Sequence, residues 1–408
     1  MRVMAEFKSI SGRETMETYD VVIIGGAVMG SATAYFLASN PDFNGKVLVI
    51  EKDPTYAKSS TCLSAGGIRQ QFSNTENIQL SKFGAEFIKN INSYLQVEND
   101  DPVNVDFTEN GYLILATDAG MPVLMQNHET QIAAGANVKI LEKDQLKQTF
   151  EWLNVDDIVA GSYNIPDSGW FDPHCFTMGF KNKAKSLGVT YLNDEVVGIE
   201  RSGDQITAVQ LISGNKINCG MFVNAAGPKA AHVAAMAGID DLPVRSRKRF
   251  VFLYKCNSQL PNCPLVVDPS GAYFRPEGQH FICGISPESD NDPDCDDFDM
   301  DYSVFEETLW PILAERVPAF DAIKRISSWA GHYEYNIKDQ NAIIGPHPTV
   351  KNFMFINGFS GHGLQQGPGA GRGISELITY KKYQTLDLKC FEFERFAKNQ
   401  LYIELNIV

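Results

Sequence analysis

The chain has 408 residues, 44% hydrophobic and 11% aromatic, enough to bury a large core in two or three domain-sized units or one interleaved pair. A formal net charge of -15 leaves no basic patch to neutralise phosphates, which argues against nucleic acid or an anionic membrane as partner. Eight cysteines without a C-x-x-C pair show no zinc or redox dithiol motif and favour reduced thiols in a cytoplasmic setting.

The first twenty residues, "MRVMAEFKSISGRETMETYD", lack the apolar run of a signal peptide, and Glu6, Glu14 and Glu17 speak against an acid-poor transit peptide. They read as a polar extension. Next comes "DVVIIGGAVMGSATAYFLAS", inside an uncharged stretch from Val21 to Pro41 about as long as a membrane span. Gly25-Gly26 divides it into a β-branched run and an Ala/Ser/Thr-rich piece, so it predicts a strand over 20–24, a turn and a helix from about 28 to 39, with no transmembrane segment. "KVLVIEKD" follows as a second strand, completing a βαβ unit. "ENGYLILATD" reads as a strand and "MPVLMQNHETQIAAGA" as a helix. Residues 189–227 read as a meander of short strands leading into the helix "PKAAHVAAMAG". "GAYFRPEGQHFICGIS" reads as a hairpin turning at Glu277-Gly278, and "YSVFEETLWPILAERV" as a helix. Residues 352–378 read as strand, glycine loop and helix. The run "PESDNDPDCDDFDMDY" begins like a calcium loop, but Cys295 stands where glycine is required and Pro293 intrudes. It reads as a solvated surface loop, with no metal site.

"GGAVMG" after the first strand, with Glu51 ending the second, matches a dinucleotide fingerprint in its proper context. Gly25 permits the tight turn, Gly30 lets helix and strand pack, and the helix N-terminus offers N–H groups to a pyrophosphate. Ala27 takes the middle position, where a methyl limits the approach of the backbone. Glu51 suits the ribose hydroxyls. The fingerprint alone does not decide between NAD and FAD.

Further along, "SSTCLSAGGIRQQFS", "FVNAAGPKAA", "AYFRPEG", "NAIIGPHP" and "GFSGHGLQQGPGAGR" occur in an order that, with the fingerprint, resembles the FAD-dependent D-amino acid oxidase and sarcosine oxidase family from about 20 to 380. Within it the chain is most similar to a subgroup named only for its FAD-dependent oxidoreductase domain, sharing "QQFS", "ENIQLS", "DQN" and "GPHP". The resemblance implies an α/β (α+β) two-domain fold: a Rossmann-type FAD domain from 18–95, 165–235 and 325–408, and an antiparallel-sheet substrate domain from 96–164 and 236–324. It implies that Gly25, Gly26, Ala27, Val28, Met29, Gly30, Glu51 and Lys52 hold the ADP half of FAD. Ser60, Thr61, Ser64, Ala65, Gly66 and Gly67 would line the ribityl chain and flavin, and Val197 the adenine. Ala225, Ala226 and Gly227 would lie beside the phosphates, and Gly331, Gly358, Gly361, His362, Gly363, Leu364 and Gln365 along the flavin.

For the substrate, the resemblance implies that Arg69 clamps a carboxylate, which a planar fork donor suits; a structural arginine is the alternative. Tyr273 would bound the substrate or pack in the core, and Arg275, on the same strand face, would be a second carboxylate ligand. His332 and His362 are placed near the flavin, as hydrogen-bonding imidazoles or as structural ones; His174 and His347 read as structural. Leu63 stands where related dehydrogenases link a histidine to flavin, and no cysteine lies around Gly331 to Glu334, so the FAD is expected to be non-covalent. Ile282 replaces an oxygen-activating lysine and Gln365 a carboxylate-binding one. The implied activity is hydride transfer from the C–N unit of a small secondary or N-methylated amino acid to flavin N5, with an unidentified electron acceptor. A D-amino acid dehydrogenase is the alternative within enzymes. The other class is a respiratory complex I assembly factor retaining FAD, a role tied to animal members of the subgroup.

Overall fold

The computed structural model describes residues 17–288 and 291–406. Residues 1–16 of the polar extension, and Asp290 of the acidic run, lie outside them. The uncharged stretch folds as strand Thr18–Ile24 and helix Val28–Ala38. Among the described residues no helix is long and apolar enough to cross a membrane. Val21 and Ile23 pack into one core cluster, Val22 and Ile24 into another on the opposite face. Burial on both faces is why the strand is a continuous β-branched run, each such side chain contributing roughly 1.5–3 kcal/mol.

That strand is central to an eight-stranded sheet. Val47–Glu51 and Lys216–Asn224 flank it in parallel, Thr190–Asn193 and Phe353–Asn357 extend the parallel set outward, and Ile343–Pro346 closes one edge antiparallel. The expected meander supplies Val196–Ser202 and Gln205–Leu211 beside Lys216–Asn224. Helices Val28–Ala38, Thr75–Lys89, Pro173–Ser186 and Gly363–Tyr380 bury their apolar residues in one core with this sheet.

A second sheet of eight strands runs in the order Lys324–Asn336, Val244–Lys255, His280–Gly284, Tyr273–Glu277, Leu265–Val267, Tyr112–Ala116, Ala160–Asn164, Lys139–Glu142. Only the contact of Leu265–Val267 with Tyr112–Ala116 is parallel. Its far face packs on the segment from Val304 to Ala322, where the expected helix is split into a π-turn over Val304–Leu309 and an α-helix over Trp310–Arg316. Lys324–Asn336, placed by the sequence among the cofactor segments, pairs along its length with Val244–Lys255 in this second sheet.

Candidate active site

A cavity of about 820 Å³ opens along the carboxyl ends of Thr18–Ile24, Val47–Glu51 and Lys216–Asn224, where open parallel sheets bind ligands. Gly25 turns the chain there with φ of +95°; a Cβ on it would fall 2.4 Å from the Ala225 carbonyl oxygen, and one on Gly30 would fall 1.8 Å from that of Gly25. Both glycines are sterically required. Gly25, Ala27 and Met29 face the cavity, while Gly26, Val28 and Gly30 form the turn and the packing behind it. Ala27 is the extended residue before the helix; it gives no side-chain cap, and the first turn holds no acid. The first N–H groups therefore keep their partial positive charge for an anion. The Glu51 carboxylate is fixed at the cavity wall by the N–H groups of Gly26 and Asp53, each donating at 2.8 Å to a different oxygen. Each oxygen keeps a lone pair for a ribose hydroxyl. Lys52 lines the cavity and pairs with Glu195 at 3.3 Å.

Ala225, Ala226 and Gly227 form the next wall, with Ser60 and Thr61 opposite. Val197 does not take part: its side chain is 48% exposed, and buried Val196 lines the cavity instead. Neighbouring strand residues face opposite sides, so a one-residue slip exchanges wall for solvent.

Ser60 and His332 also line a second, small cavity of about 90 Å³. Its floor is Ser64, Ala65, Gly66 and Gly67. Gly66 has φ of +73°, and a Cβ on it would fall 2.5 Å from the Phe171 carbonyl oxygen. Leu63 and Gly331 face each other here, the Gly331 Cβ position being 3.1 Å from Leu63 Cβ. Gly361, His362, Leu364 and Gln365 close the third side. Gly361 has φ of +98°, and the Tyr333 ring occupies the space a side chain would need. Gly358 and Gly363, expected along the flavin, line neither cavity. The Gly358 N–H donates to Glu334 at 3.1 Å, and Gly363 starts a helix packed on Met29 and Phe359.

Arg69 lines the small cavity and is 4% exposed. Its guanidinium lies 4.1 Å from the centre of the Phe72 ring and donates to the carbonyls of Gln71 and Asn406. Among the described residues it has no carboxylate within ion-pair distance. Gln365 lines the same cavity, but its Oε1 accepts the Arg69 backbone N–H at 2.6 Å; it fixes the arginine rather than standing in for a lysine. Tyr273 lines the cavity too, with burial raising its hydroxyl pKa well above the usual value.

Arg275 does not line either cavity. Its Nε donates to Ala65 O at 2.9 Å, and its Nη1 serves Pro276 O and the Glu277 carboxylate. Three of its five donors are engaged, one of them bracing the small-residue loop, and because it faces neither cavity it is not placed as a second carboxylate ligand. Ile282, 1% exposed, puts no cation at the cavity.

The two histidines do converge. His332 lines both cavities with its ring edge-on to Phe298, and its Nε2 is buried without a hydrogen bond among the described residues. Burial lowers its pKa. His362 has a similarly unpartnered Nε2, and burial, with the nearby Arg69 charge, lowers its pKa to about 3. Both rings are neutral at pH 7.

The sequence missed six residues of the small cavity's wall: Tyr112, Arg249, Val251, Leu265, Tyr333 and Ser360. Arg249 is held bidentate by Asp292, at 2.8 Å for each bond. Asp292 belongs to the acidic run, which is the expected exposed loop but also lies as a strap along the basic strand Val244–Lys255. Asp294 meets Arg245 and Arg247, Asp296 meets Lys229, and Asp297 meets Lys248. Asp294, Cys295, Asp296 and Phe298 wall the large cavity. The basic alternation of "VRSRKRF" against that acidic run was the available signal. Glu334, on the same wall, has its pKa raised by burial to about 8.

An anion-binding turn, a ribose-side carboxylate, a long cavity and the orphaned Ser60 Oγ and His332 Nε2 where it meets a small pocket fit an extended dinucleotide with a redox ring at its far end, the arrangement of a flavoprotein oxidoreductase. The chain belongs to the family described as "DAO: FAD dependent oxidoreductase", whose model matches residues 20–377. FAD is the cofactor of that family. The chain is 42% identical over 425 residues to FAD-dependent oxidoreductase domain-containing protein 1 of Xenopus laevis, covering 96% of this chain and 85% of that protein. It is 26% identical over 397 residues to mitochondrial dimethylglycine dehydrogenase of Rattus norvegicus, covering 90% of this chain and 44% of that longer protein. Among solved structures it is similar to L-proline dehydrogenase from P. horikoshii, with a TM-score of 0.82, 27% identity and coverage of 95% and 100% of the two chains.

Proposed function

We propose that this FAD-dependent oxidoreductase oxidises the C–N bond of a small secondary or N-methylated amino acid, holds its FAD non-covalently and passes electrons to an acceptor other than oxygen. The observation that carries this reading is Arg69, a buried guanidinium facing the small cavity with no carboxylate partner among the described residues. A buried charge without a counterion is costly, and a substrate carboxylate relieves that cost in a bidentate geometry. Dimethylglycine and L-proline, named for two of the similar proteins, are both N-substituted amino acids. When bound, FAD supplies the two-electron acceptor. The turn from Gly25 to Gly30 and Glu51 would hold its ADP half, and Ser60, Ser64 to Gly67, Gly361, His362, Leu364 and Gln365 would lie about its ring. Arg69 fixes the substrate carboxylate, and where the amine is secondary the neutral imidazole of His362 accepts its N–H, leaving the lone pair available to assist C–H cleavage. Tyr112, Tyr273 and Leu265 exclude water around the reacting carbon. Ile282 supplies no lysine to the pocket, and the two cations that line it are engaged, Arg249 by Asp292 and Arg69 by the substrate carboxylate, which supports a dehydrogenase over an oxidase.

Anaerobic titration of the purified holoprotein with sarcosine, dimethylglycine, L-proline and D-amino acids tests this. Bleaching of the flavin band by an N-substituted amino acid is expected. Bleaching by primary D-amino acids alone supports a D-amino acid dehydrogenase, and bleaching by none removes the enzymatic reading. Reoxidation by air at oxidase rates overturns the choice of acceptor, and FAD retained after acid precipitation overturns non-covalent binding.

A further inference from the structure

The substrate-binding guanidinium is fixed from behind by the far end of the chain. Residues 401–406 run extended over the start of helix Thr75–Lys89, with Leu401, Ile403 and Leu405 outward and Tyr402, Glu404 and Asn406 inward. Glu404 is 0% exposed. Its carboxylate accepts from Ser73 N at 2.8 Å, Ser73 Oγ at 2.7 Å, Asn77 Nδ2 at 2.8 Å and Asn406 N at 2.9 Å. The Leu405 N–H in turn donates to Ser73 Oγ at 2.9 Å. This grip sets the position of Asn406, whose carbonyl takes a donor of Arg69 and whose side chain donates to Gln71 O at 3.2 Å. Gln71 O is the other acceptor of the same guanidinium.

Two of the five Arg69 donors, one on each terminal nitrogen, are thus committed to backbone carbonyls, and one acceptor comes from the last described residue. A long arginine side chain loses rotamer freedom when held in one geometry, and a fork already held needs no such ordering when substrate arrives. Nothing in the amine chemistry needs a buried carboxylate at residue 404. Its four donors all lead to the segment that holds Arg69 or to the helix beneath it.

We infer that the C-terminal segment is a positioning element for substrate binding: Glu404 anchors Asn406, and the Asn406 carbonyl with Gln71 aims the Arg69 guanidinium into the small cavity. This rests on the reading of Arg69 as the carboxylate ligand. The prediction is selective, because a displaced tail weakens recognition of a carboxylate while leaving an uncharged ligand of the same shape unaffected.

The test uses the FAD-loaded protein and the flavin absorbance change on binding methoxyacetate or its uncharged amide, with FAD occupancy and melting temperature recorded for each variant. The wild type is expected to favour the acid. Glu404→Gln, Asn406→Ala and deletion of residues 402–408 are each expected to reduce that preference, by about tenfold for Glu404→Gln and the deletion, with the amide affinity unchanged. An undiminished preference in flavin-loaded Glu404→Gln and in the deletion overturns the positioning role while leaving Arg69 as the ligand. Equal loss of acid and amide binding overturns it as well, by showing a general structural effect. No preference in the wild type, or a preference that survives Arg69→Met, overturns the Arg69 reading itself and this inference with it.

Discussion

Arg69 is a cation in a site that supplies ring faces and backbone carbonyls but no carboxylate among the described residues. Removing one partner of a buried charge pair costs about 2–5 kcal/mol, so Arg69→Met is expected to weaken carboxylate binding roughly 30- to 4,000-fold by this conversion. Because Arg69 holds the carboxylate rather than the reacting bond, KM rises more than kcat falls in steady-state assays with the amino acid that bleaches the flavin. Glu334 gives a pH signature of its own. Burial raises its folded pKa to about 8 from the usual 4.5, so between these values the native state keeps a proton that the unfolded chain releases. Its contribution to stability therefore falls as pH rises through that window. Glu334→Gln in FAD-free protein is expected to melt above the wild type at pH 8 and close to it at pH 5; equal gaps at the two pH values would show that Glu334 ionises normally.

Glycines set the spacing between elements. A Cβ on Gly84 would fall 2.0 Å from the Gln365 carbonyl oxygen, and one on Gly371 2.8 Å from Ala32 Cβ, so helices Thr75–Lys89 and Val28–Ala38 approach helix Gly363–Tyr380 backbone to backbone. The glycines of "GLQQGPGAGRG" serve helix packing as much as a flavin loop. Gly84→Ala is expected to cost about 1–3 kcal/mol of strain, offset in part by roughly 1 kcal/mol of helix propensity. Since Gln365 carries the Arg69 backbone, the retained protein should show a raised KM with near-normal FAD affinity, measured by enzyme kinetics and flavin fluorescence. Elements with their own local chemistry were legible in the sequence. The fingerprint turn, the small-residue loop and the glycine loop each carry their reason in adjacent residues. Arg249 was not legible, because it reaches the small cavity through the pairing of Val244–Lys255 with Lys324–Asn336, which sets Arg249 opposite Gly331. Arg275 was read on the correct strand, but the acceptor that disqualifies it, Ala65 O, lies 210 residues away in sequence. Val197 was misplaced by one residue, the smallest error that reverses a strand's faces.

At the scale of the molecule, a chain of net charge -15 concentrates its acid where the second sheet is most basic. The strap ties the sheet that carries Arg249 to the wall of the cofactor cavity. Its charge pairs differ in kind. Arg249 and Asp292 are only 10% and 11% exposed and are weakly screened by salt, whereas Asp294, Asp296 and Asp297 are all more than half exposed and contribute little individually. Salt should therefore loosen the outer stretch of the strap, from Asp294 to Asp297, before it releases Asp292. Because that stretch walls the cavity, raising NaCl from 0.05 to about 1 M, where the screening length falls to roughly 3 Å, is expected to speed FAD dissociation several-fold without unfolding the protein. Flavin fluorescence after dilution measures the rate. Lys229→Gln and Lys248→Gln together should give faster release at low salt with a weakened salt response, since the pairs of Asp296 and Asp297 are already gone and only those of Asp294 with Arg245 and Arg247 remain to be screened. Arg249→Gln should retain the salt response and alter binding in the small cavity. If the double variant releases FAD as slowly as the wild type and keeps its salt dependence, the strap does not hold the cofactor, and its charge pairs serve only to cover the basic strand.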